Sequence, residues 1–339
     1  MVTRVGLFGF GRIGRNLFRI LYNRDDIRVA AVSDLAEPAG IEYLLRFDTM
    51  LGRFPDEVSV KEGHIYVVGR QIPVFSGKDQ PPVPDWKGLG VDVVFEATNV
   101  GRTRAEAERH LEAGARRVIL LAPPSEKPDA TIVMGVNDGQ LRLEHRIVSN
   151  ASSTVHCVTP VVQILHEAFG IERAIFTTVH SYTSAHRLAD VPTEDKRRGR
   201  AAAENIIPQE SRSPAMVAQL LPALAGRISG YAMNVPVRNG SVVDLVCWHE
   251  KKVTPVAINE VLRTAAATAR WKSVLRFERD PIVSSDVACS TWSATFDSLA
   301  TMTLGEKVSK TLSWYDSGFG YAYRAVELVE RFAAMEGRS

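Results

Sequence analysis

The feature that most constrains this chain is a cluster of glycines near its N-terminus. An apolar segment, Val5 to Phe8, predicts a strand that runs into Gly9-Phe10-Gly11-Arg12-Ile13-Gly14. Apolar residues then recur at helical spacing as far as Leu21, and a second strand, Val29 to Val32, ends at Ser33-Asp34. Strand, glycine turn, helix, strand and acid in this order predict the first unit of a dinucleotide-binding fold.

Each glycine in this turn has a physical task. Gly9 makes the tight turn, Gly11 lets the backbone approach a pyrophosphate, and Gly14 lets the helix pack against the strand. The first N–H groups of the helix, at Arg12 and Ile13, are then expected to bind the phosphates. The plainer alternative is a surface glycine turn, which the flanking strand and helix disfavour.

Asp34 is expected to select the nucleotide. It lies 25 residues after Gly9, near the offset of roughly 20 that is typical of this fold. A carboxylate at this position accepts hydrogen bonds from a ribose diol and repels a 2′-phosphate. The expected cofactor is therefore NAD rather than NADP.

Composition and charge exclude several other classes. Of the 339 residues, 45% are hydrophobic and 24% are charged, which is typical of a globular chain of about two domains. The net charge of +2 favours neither a nucleic-acid nor a membrane partner. Three cysteines do not make a disulfide framework, and the N-terminal apolar stretch is too short for a signal peptide. We therefore expect a cytoplasmic protein.

The pattern of elements predicts two domains of different architecture. Residues 1–150 alternate between strands and helices, which predicts an α/β, doubly wound parallel sheet of the Rossmann type. Its later strands are expected at Val91–Ala97, Arg117–Ala122, Thr131–Val136 and Arg146–Val148, with a capping box over Thr103–Glu106.

Residues 151–316 predict an α+β catalytic domain. A helix over Ser152–Phe169 is followed by long strands, which are typical of a mostly antiparallel sheet. These strands are expected at Ala174–Val179, Ser229–Val237, Ser241–Trp248 and Lys307–Ser313. The remaining segment, 317–339, contains a last helix that we expect to pack back on the first domain.

Dispersed motifs make the sequence resemble the glyceraldehyde-3-phosphate dehydrogenase family over nearly its whole length. The matching segments are GLFGFGRIGR, SDLAEP, FDTMLGRF, VFEAT, VMGVND, SNASST, TVHSYT, RRGRAAAENIIP, SVVDL, DPIVSSD and SWYDSGFGY. The resemblance implies NAD-dependent oxidation of a phosphorylated aldehyde through a covalent intermediate. It also implies a homotetramer, with the basic loop at Lys196–Arg200 reaching toward a neighbouring cofactor site rather than binding nucleic acid.

The main departure from the family lies at the nucleophile. In the family a cysteine directly follows Ser-Asn-Ala-Ser, and here that position is Ser153, with His180 at the position of the catalytic histidine. A serine hydroxyl has a far higher pKa than a thiol, so the oxidation step is expected to be severely impaired. Three explanations stay open: an engineered replacement, a natural loss of activity, or a nucleophile moved to Cys157.

The resemblance also implies further site residues. Thr98 and Ser317 are expected beside the cofactor, with Ser317 standing where the family has an asparagine. The residues expected to bind substrate or anion are Ser152, Thr154, Thr183, Arg200, Arg212 and Asn234. Asn234 replaces the arginine that holds the substrate phosphate in the family, and Arg212, Arg238 or Arg187 is a candidate replacement for its charge. No metal site is expected.

Two alternative functions remain at this stage. One is a catalytically silent NAD-binding homologue that acts as a sensor or partner protein, which Ser153 favours. The other is an erythrose-4-phosphate type of dehydrogenase that releases an acid, which the altered loop at Gln209–Arg212 favours.

Overall fold

The computed structural model describes residues 2–98 and 101–337. These residues group into two compact units. The first unit lies within Met1–Val133, Asn137–Ser152 and Ala322–Ser339, and the second within Met134–Val136 and Ser153–Tyr321.

The first unit is built on a nine-stranded sheet. The strands of this unit are Thr3–Phe8 (β1), Ile27–Asp34 (β2), Phe47–Asp48 (β3), Gly52–Arg53 (β4), Val58–Lys61 (β5), His64–Val67 (β6), Arg70–Ser76 (β7), Val93–Glu96 (β8), Arg117–Leu120 (β9), Ala130–Thr131 (β10) and Ile147–Ser149 (β11). Strands β3 and β4 form a separate two-stranded sheet, and the other nine form the large sheet. The helices of this unit are Arg12–Leu21 (α1), Pro38–Arg46 (α2) and Arg104–Glu112 (α3), with a short 3-10 helix at Asp138–Gln140. The strand order is β10-β11-β9-β8-β1-β2-β7-β6-β5.

Strand pairing in this sheet explains where a ligand can bind. All pairs from β10 to β7 are parallel, and only β7-β6-β5 is antiparallel. The chain leaves β1 toward β2 on one side and later returns to β8 on the other side. The carboxyl ends of β1 and β8 therefore lie at a topological switch point, where open α/β sheets bind their ligands. The predicted Rossmann-type parallel sheet is confirmed.

The second unit is built on a seven-stranded sheet in the order β13-β14-β12-β15-β18-β17-β16. The strands are Ile171–Ser181 (β12), Ile207–Glu210 (β13), Ile228–Val235 (β14), Ser241–His249 (β15), Leu275–Glu278 (β16), Ala294–Leu304 (β17) and Val308–Tyr315 (β18). The helices are Ser153–Phe169 (α4), Ser213–Leu220 (α5) and Pro255–Ala266 (α6), with 3-10 turns at Pro222–Leu224 and Ser284–Val287. A last helix, Phe319–Met335 (α7), lies mostly in residues of the first unit.

Most strand pairs of the second sheet are antiparallel, and only β12 with β14 and β16 with β17 are parallel. The predicted mostly antiparallel sheet is confirmed. Helix α4 buries Val158, Val161, Val162 and Leu165, the apolar face that the sequence predicts.

Several predicted strands differ in extent from those of the structure, and two of these differences have a local cause. The strand expected over Thr131–Val136 pairs only at Ala130–Thr131. Beyond it the side chain of Asn137 bonds the backbone, accepting from the Val133 N–H at 2.8 Å and donating to the Thr131 carbonyl oxygen at 2.9 Å. Strand β14 ends at Val235 rather than at Val237, since Pro236 follows and has no N–H for the ladder. The capping box at Thr103 and Glu106 is confirmed.

Among the helices in the described part of the chain, none is both long and apolar enough to cross a bilayer.

Candidate active site

The glycine turn has the shape that a dinucleotide requires. Gly9 has a φ of 101°, and a Cβ there would lie 2.9 Å from the backbone of Ala97 and Thr98. A Cβ on Gly14 would lie 2.1 Å from the Gly9 carbonyl oxygen, whereas a Cβ on Gly11 would meet nothing within 4 Å. Gly9 and Gly14 are therefore needed by the fold itself, while Gly11 borders open space that a phosphate can occupy.

Helix α1 begins at Arg12, directly after this turn, and Gly11 provides no side-chain cap. The opening N–H groups, at Arg12 and Ile13, stand at the positive end of the helix dipole. This arrangement suits the pyrophosphate of NAD.

Asp34 binds the glycine turn. Its Oδ2 accepts a hydrogen bond from the Phe10 N–H at 2.5 Å, and its Oδ1 accepts one from the Ala36 N–H at 2.9 Å. The side chain is only partly buried, so its remaining lone pairs are available to a diol. The contact with Phe10 is a positioning role that the sequence reasoning missed.

Thr98 follows the carboxyl end of β8 and is held by Glu96. The Thr98 N–H and hydroxyl both donate to Glu96 Oε1, at 2.8 and 2.5 Å. Because the Gly9 turn packs against Thr98, the structure brings these two predicted cofactor residues together. Ser317 lies just before α7, where its neighbour Asp316 accepts hydrogen bonds from the Gly318 and Phe319 N–H groups at 2.8 Å.

Ser153, the predicted nucleophile, follows a strained turn and begins a helix. Ala151 is fully buried and has a φ of 53°, which is unusual for a residue with a Cβ. Helix α4 begins two residues later, at Ser153. The first residue of this helix therefore stands at a positive dipole end, which favours a negative charge on its side chain.

His180 lies near the end of β12 within a cluster of hydroxyl groups. Its Nε2 is 3.0 Å from Thr154 Oγ1, and its Nδ1 is 3.3 Å from Ser241 Oγ and 3.1 Å from the Tyr315 hydroxyl. Thr154 and Tyr315 are also 3.0 Å apart. The structure thus brings together two predicted residues, His180 and Thr154. It adds Tyr315 and Ser241, which lie in the motifs SWYDSGFGY and SVVDL but carried no chemical signal by spacing.

The surroundings of His180 keep its imidazole neutral. Burial, together with the charge of nearby His186, lowers the pKa of His180 to about 4. Burial raises the pKa of Tyr315 well above its usual value of 10, so its hydroxyl stays protonated and can donate. At neutral pH the cluster is therefore a neutral base with a phenol donor beside it.

Cys157 has the surroundings of a core thiol. It is fully buried one turn along α4, and its Sγ contacts the Ser313 carbonyl oxygen at 3.6 Å. Burial raises its pKa well above that of a free thiol. These surroundings disfavour a thiolate at this position.

Two of the remaining expected anion-binding residues, Thr183 and Arg200, have side-chain partners. Thr183 contacts His186 Nδ1 through its N–H at 3.1 Å and its hydroxyl at 3.2 Å. Arg200 pairs with Asp190 at 2.8 Å, with both side chains more than half exposed. Arg212 is exposed directly before α5, and Ser152 is partly exposed directly before α4.

Asn234 is buried in β14. Its Nδ2 donates to the Ser181 carbonyl oxygen at 3.1 Å, and its Oδ1 accepts from Gln209. The amide oxygen and one amide hydrogen are therefore engaged inside the sheet, and no cation stands at this position.

Comparison with known proteins agrees with this geometry. Residues 3–104 match the family described as glyceraldehyde 3-phosphate dehydrogenase, NAD binding domain, and residues 152–317 match its C-terminal domain. The chain is 45% identical to the glyceraldehyde-3-phosphate dehydrogenase of Geobacillus stearothermophilus over 98% of this chain and 99% of that protein. It is 44% identical to that of Streptomyces coelicolor, over 97% and 98% of the two chains. The chain therefore belongs to the glyceraldehyde-3-phosphate dehydrogenase family.

Proposed function

We propose that this protein binds NAD and that its site is built for the oxidation of a phosphorylated aldehyde through a covalent intermediate at position 153. The observation that carries the proposal is the neutral His180, which accepts or donates hydrogen bonds with Thr154, the next residue along α4 after Ser153. A neutral imidazole beside a helix N-terminus suits proton transfer from a nucleophile.

In this proposal residues 1–150 bind NAD, residues 151–316 bind the aldehyde, and the segment 317–339 completes the first domain. Gly9, Gly11, Arg12 and Ile13 hold the pyrophosphate, and Asp34 holds the ribose. Bound NAD supplies a hydride acceptor. Thr98 and Ser317 line the cofactor, and Ser152, Thr154, Thr183, Arg200, Arg212 and Asn234 contact the substrate or the attacking anion.

The protein residues act on protons and charge. The hydroxyl oxygen of Ser153, or the sulfur of a cysteine at this position, attacks the aldehyde carbon while His180 takes the proton from that side chain. The protonated imidazole then donates this proton to the alkoxide that forms from the aldehyde oxygen. With a serine at position 153 this step is expected to be slow, because a base with a pKa of about 4 cannot deprotonate an alcohol to a useful extent. We therefore propose that the oxidation is impaired in this chain.

Replacement of the serine tests the proposal. We expect Ser153→Cys to gain NADH formation from glyceraldehyde 3-phosphate, since a thiol ionises far more readily than an alcohol. Adding His180→Asn to this variant should lower kcat by about 10²-fold or more, with NAD affinity unchanged. No turnover by Ser153→Cys with any phosphorylated aldehyde, despite normal NAD binding, would count against the dehydrogenase proposal.

A second candidate is a catalytically silent NAD-binding protein with a sensor or partner role. The specific observations in its favour are Ser153 itself and the absence of a cation at Asn234. It predicts that a serine codon is found at position 153 in the natural gene and that the unmodified chain binds NAD without oxidising aldehydes. Turnover by the unmodified chain would exclude it.

We further propose that the chain assembles as a homotetramer and works in the cytoplasm, as the family resemblance implies.

A further inference from the structure

A chain of buried polar side chains runs through the first unit and ends at Thr98. The Trp86 indole N–H donates to His110 Nδ1 at 3.1 Å, and His110 Nε2 lies 3.2 Å from Glu96 Oε2. The other carboxylate oxygen, Oε1, accepts the two hydrogen bonds from Thr98. Trp86, His110 and Glu96 are each at most 2% exposed. We refer to these three side chains as the Trp86 relay.

The chemistry of the donors fixes the direction of every hydrogen bond. An indole nitrogen only donates, so His110 Nδ1 must be the acceptor. In the neutral imidazole the proton then lies on Nε2, which donates to Glu96. The carboxylate of Glu96 therefore accepts from both sides, from His110 at Oε2 and from Thr98 at Oε1.

Thr98, which Glu96 holds, packs against the glycine turn. A Cβ on Gly9 would lie only 2.9 Å from the backbone nitrogen of Thr98, so these two segments are in close contact. A displacement of Thr98 must therefore change the opening that faces the dinucleotide. The ring of His110 also packs edge-on against Phe8, the last residue of β1, with ring centroids 4.5 Å apart.

We propose that Glu96 is a positioning residue for the dinucleotide: its buried carboxylate holds Thr98 in the position that NAD binding requires. This inference rests on the proposed binding of NAD, and it assigns no contact between Glu96 and the cofactor.

The substitution Glu96→Gln tests the proposal because it changes one acceptor atom into a donor. If the new NH₂ group faces His110, two donors meet, the NH₂ group and the His110 Nε2–H. If the His110 proton moves to Nδ1 instead, it meets a second donor, the Trp86 indole N–H. If the amide faces Thr98 instead, it meets the Thr98 N–H. Every arrangement loses one hydrogen bond, and a buried unpaired donor costs roughly 1–3 kcal/mol. We expect NAD binding, measured by calorimetry, to weaken by about fivefold or more.

Trp86→Phe is the matched control, because it alters an equally buried side chain without changing Glu96. We expect it to leave NAD affinity within about twofold. The double variant combines Trp86→Phe with Glu96→Gln. Because it lacks the indole N–H, the proton of His110 can move to Nδ1, and Nε2 then accepts from the new amide. Trp86→Phe should therefore recover part of the affinity that Glu96→Gln loses, although each substitution alone lowers the stability of the fold.

A merely structural role for Glu96 predicts a different pattern. In that case Trp86→Phe would weaken NAD binding as much as Glu96→Gln at equal loss of thermal stability, and the double variant would be worse than either. That pattern, or unchanged affinity in Glu96→Gln, would overturn the proposal. If the unmodified protein does not bind NAD, the proposed function itself fails, which is a separate outcome. A shift of the Trp86 indole N–H resonance on addition of NAD gives an independent readout of the relay.

Discussion

At the scale of single residues, the protonation state of His180 decides what the site can do. Its hydroxyl neighbours Thr154, Ser241 and Tyr315 carry no countercharge, and His186 adds a second imidazole nearby. Among the described hydrogen-bond partners of His180 there is no carboxylate. An imidazolium in these surroundings is disfavoured, which is why the ring is a weak base rather than a charged group.

A pH dependence of stability follows from this pKa. An unfolded chain binds a proton at an ordinary histidine pKa of about 6.5, whereas the folded chain binds it only near pH 4. Between these values the unfolded state holds more protons, so the free energy of unfolding falls as the pH falls, by up to about 3 kcal/mol. Urea unfolding from pH 7.5 to pH 4 should reveal this component in the unmodified protein. The difference between the unmodified protein and His180→Gln should therefore vary with pH, and a constant difference would contradict the prediction.

At the scale of elements, the turn between β1 and α1 separates folding from binding. Gly14 lies against the Gly9 carbonyl oxygen, while Gly11 has open space where a Cβ would stand and a φ of −65°, which any residue can adopt. The same motif therefore contains Gly14, which the packing of the helix requires, and Gly11, which we expect the ligand to require.

Two alanine substitutions should separate these roles. Gly14→Ala is expected to lower thermal stability strongly, because its Cβ would lie 2.1 Å from backbone oxygen. Gly11→Ala is expected to keep the melting temperature within a few degrees while weakening NAD binding, because the methyl group takes the space of the pyrophosphate. Thermal unfolding and calorimetric titration of both variants check this. If Gly11→Ala binds NAD normally, the pyrophosphate does not approach this glycine.

At the scale of the whole molecule, the proposed homotetramer is expected to cover exposed apolar side chains. Leu188 and Ile206, in the irregular segment between β12 and β13, are 83% and 64% exposed in the single chain. Exposed apolar area of this kind gains roughly 25 cal/mol per Å² when a partner covers it. The proposed homotetramer supplies such a partner.

Sedimentation at micromolar concentration should give about four times the mass of one chain. Leu188→Asp combined with Ile206→Asp should shift the protein toward smaller species, because the charges oppose burial. Val256→Asp is the control, since Val256 is 80% exposed at the start of α6, where an acidic residue is tolerated. A monomer at all concentrations would contradict the assembly, and equal effects of all three substitutions would contradict the role of this segment.

Local patterns in the sequence predicted much of the fold and part of the candidate site. The glycine turn, the amphipathic face of α4 and the capping box at Thr103 depend on neighbours a few residues away, so their spacing is visible in the chain. The predicted extent of β10 was wrong because the side chain of Asn137, rather than a neighbouring strand, bonds the backbone of Thr131 and Val133. Element ends of this kind depend on a single side-chain contact.

The sequence by itself determined the nucleotide motif, the acid at Asp34 and the missing thiol at Ser153, because each is a matter of residue type at a fixed spacing. Only the tertiary structure decided that Tyr315 and Ser241 contact His180, and that Glu96 links Trp86 to Thr98. Pairing of β12, β15 and β18 brings His180, Ser241 and Tyr315 together, and helix α3 places His110 beside Glu96. Side-chain burial, which the fold creates, then lowers the pKa of His180 and raises that of Tyr315.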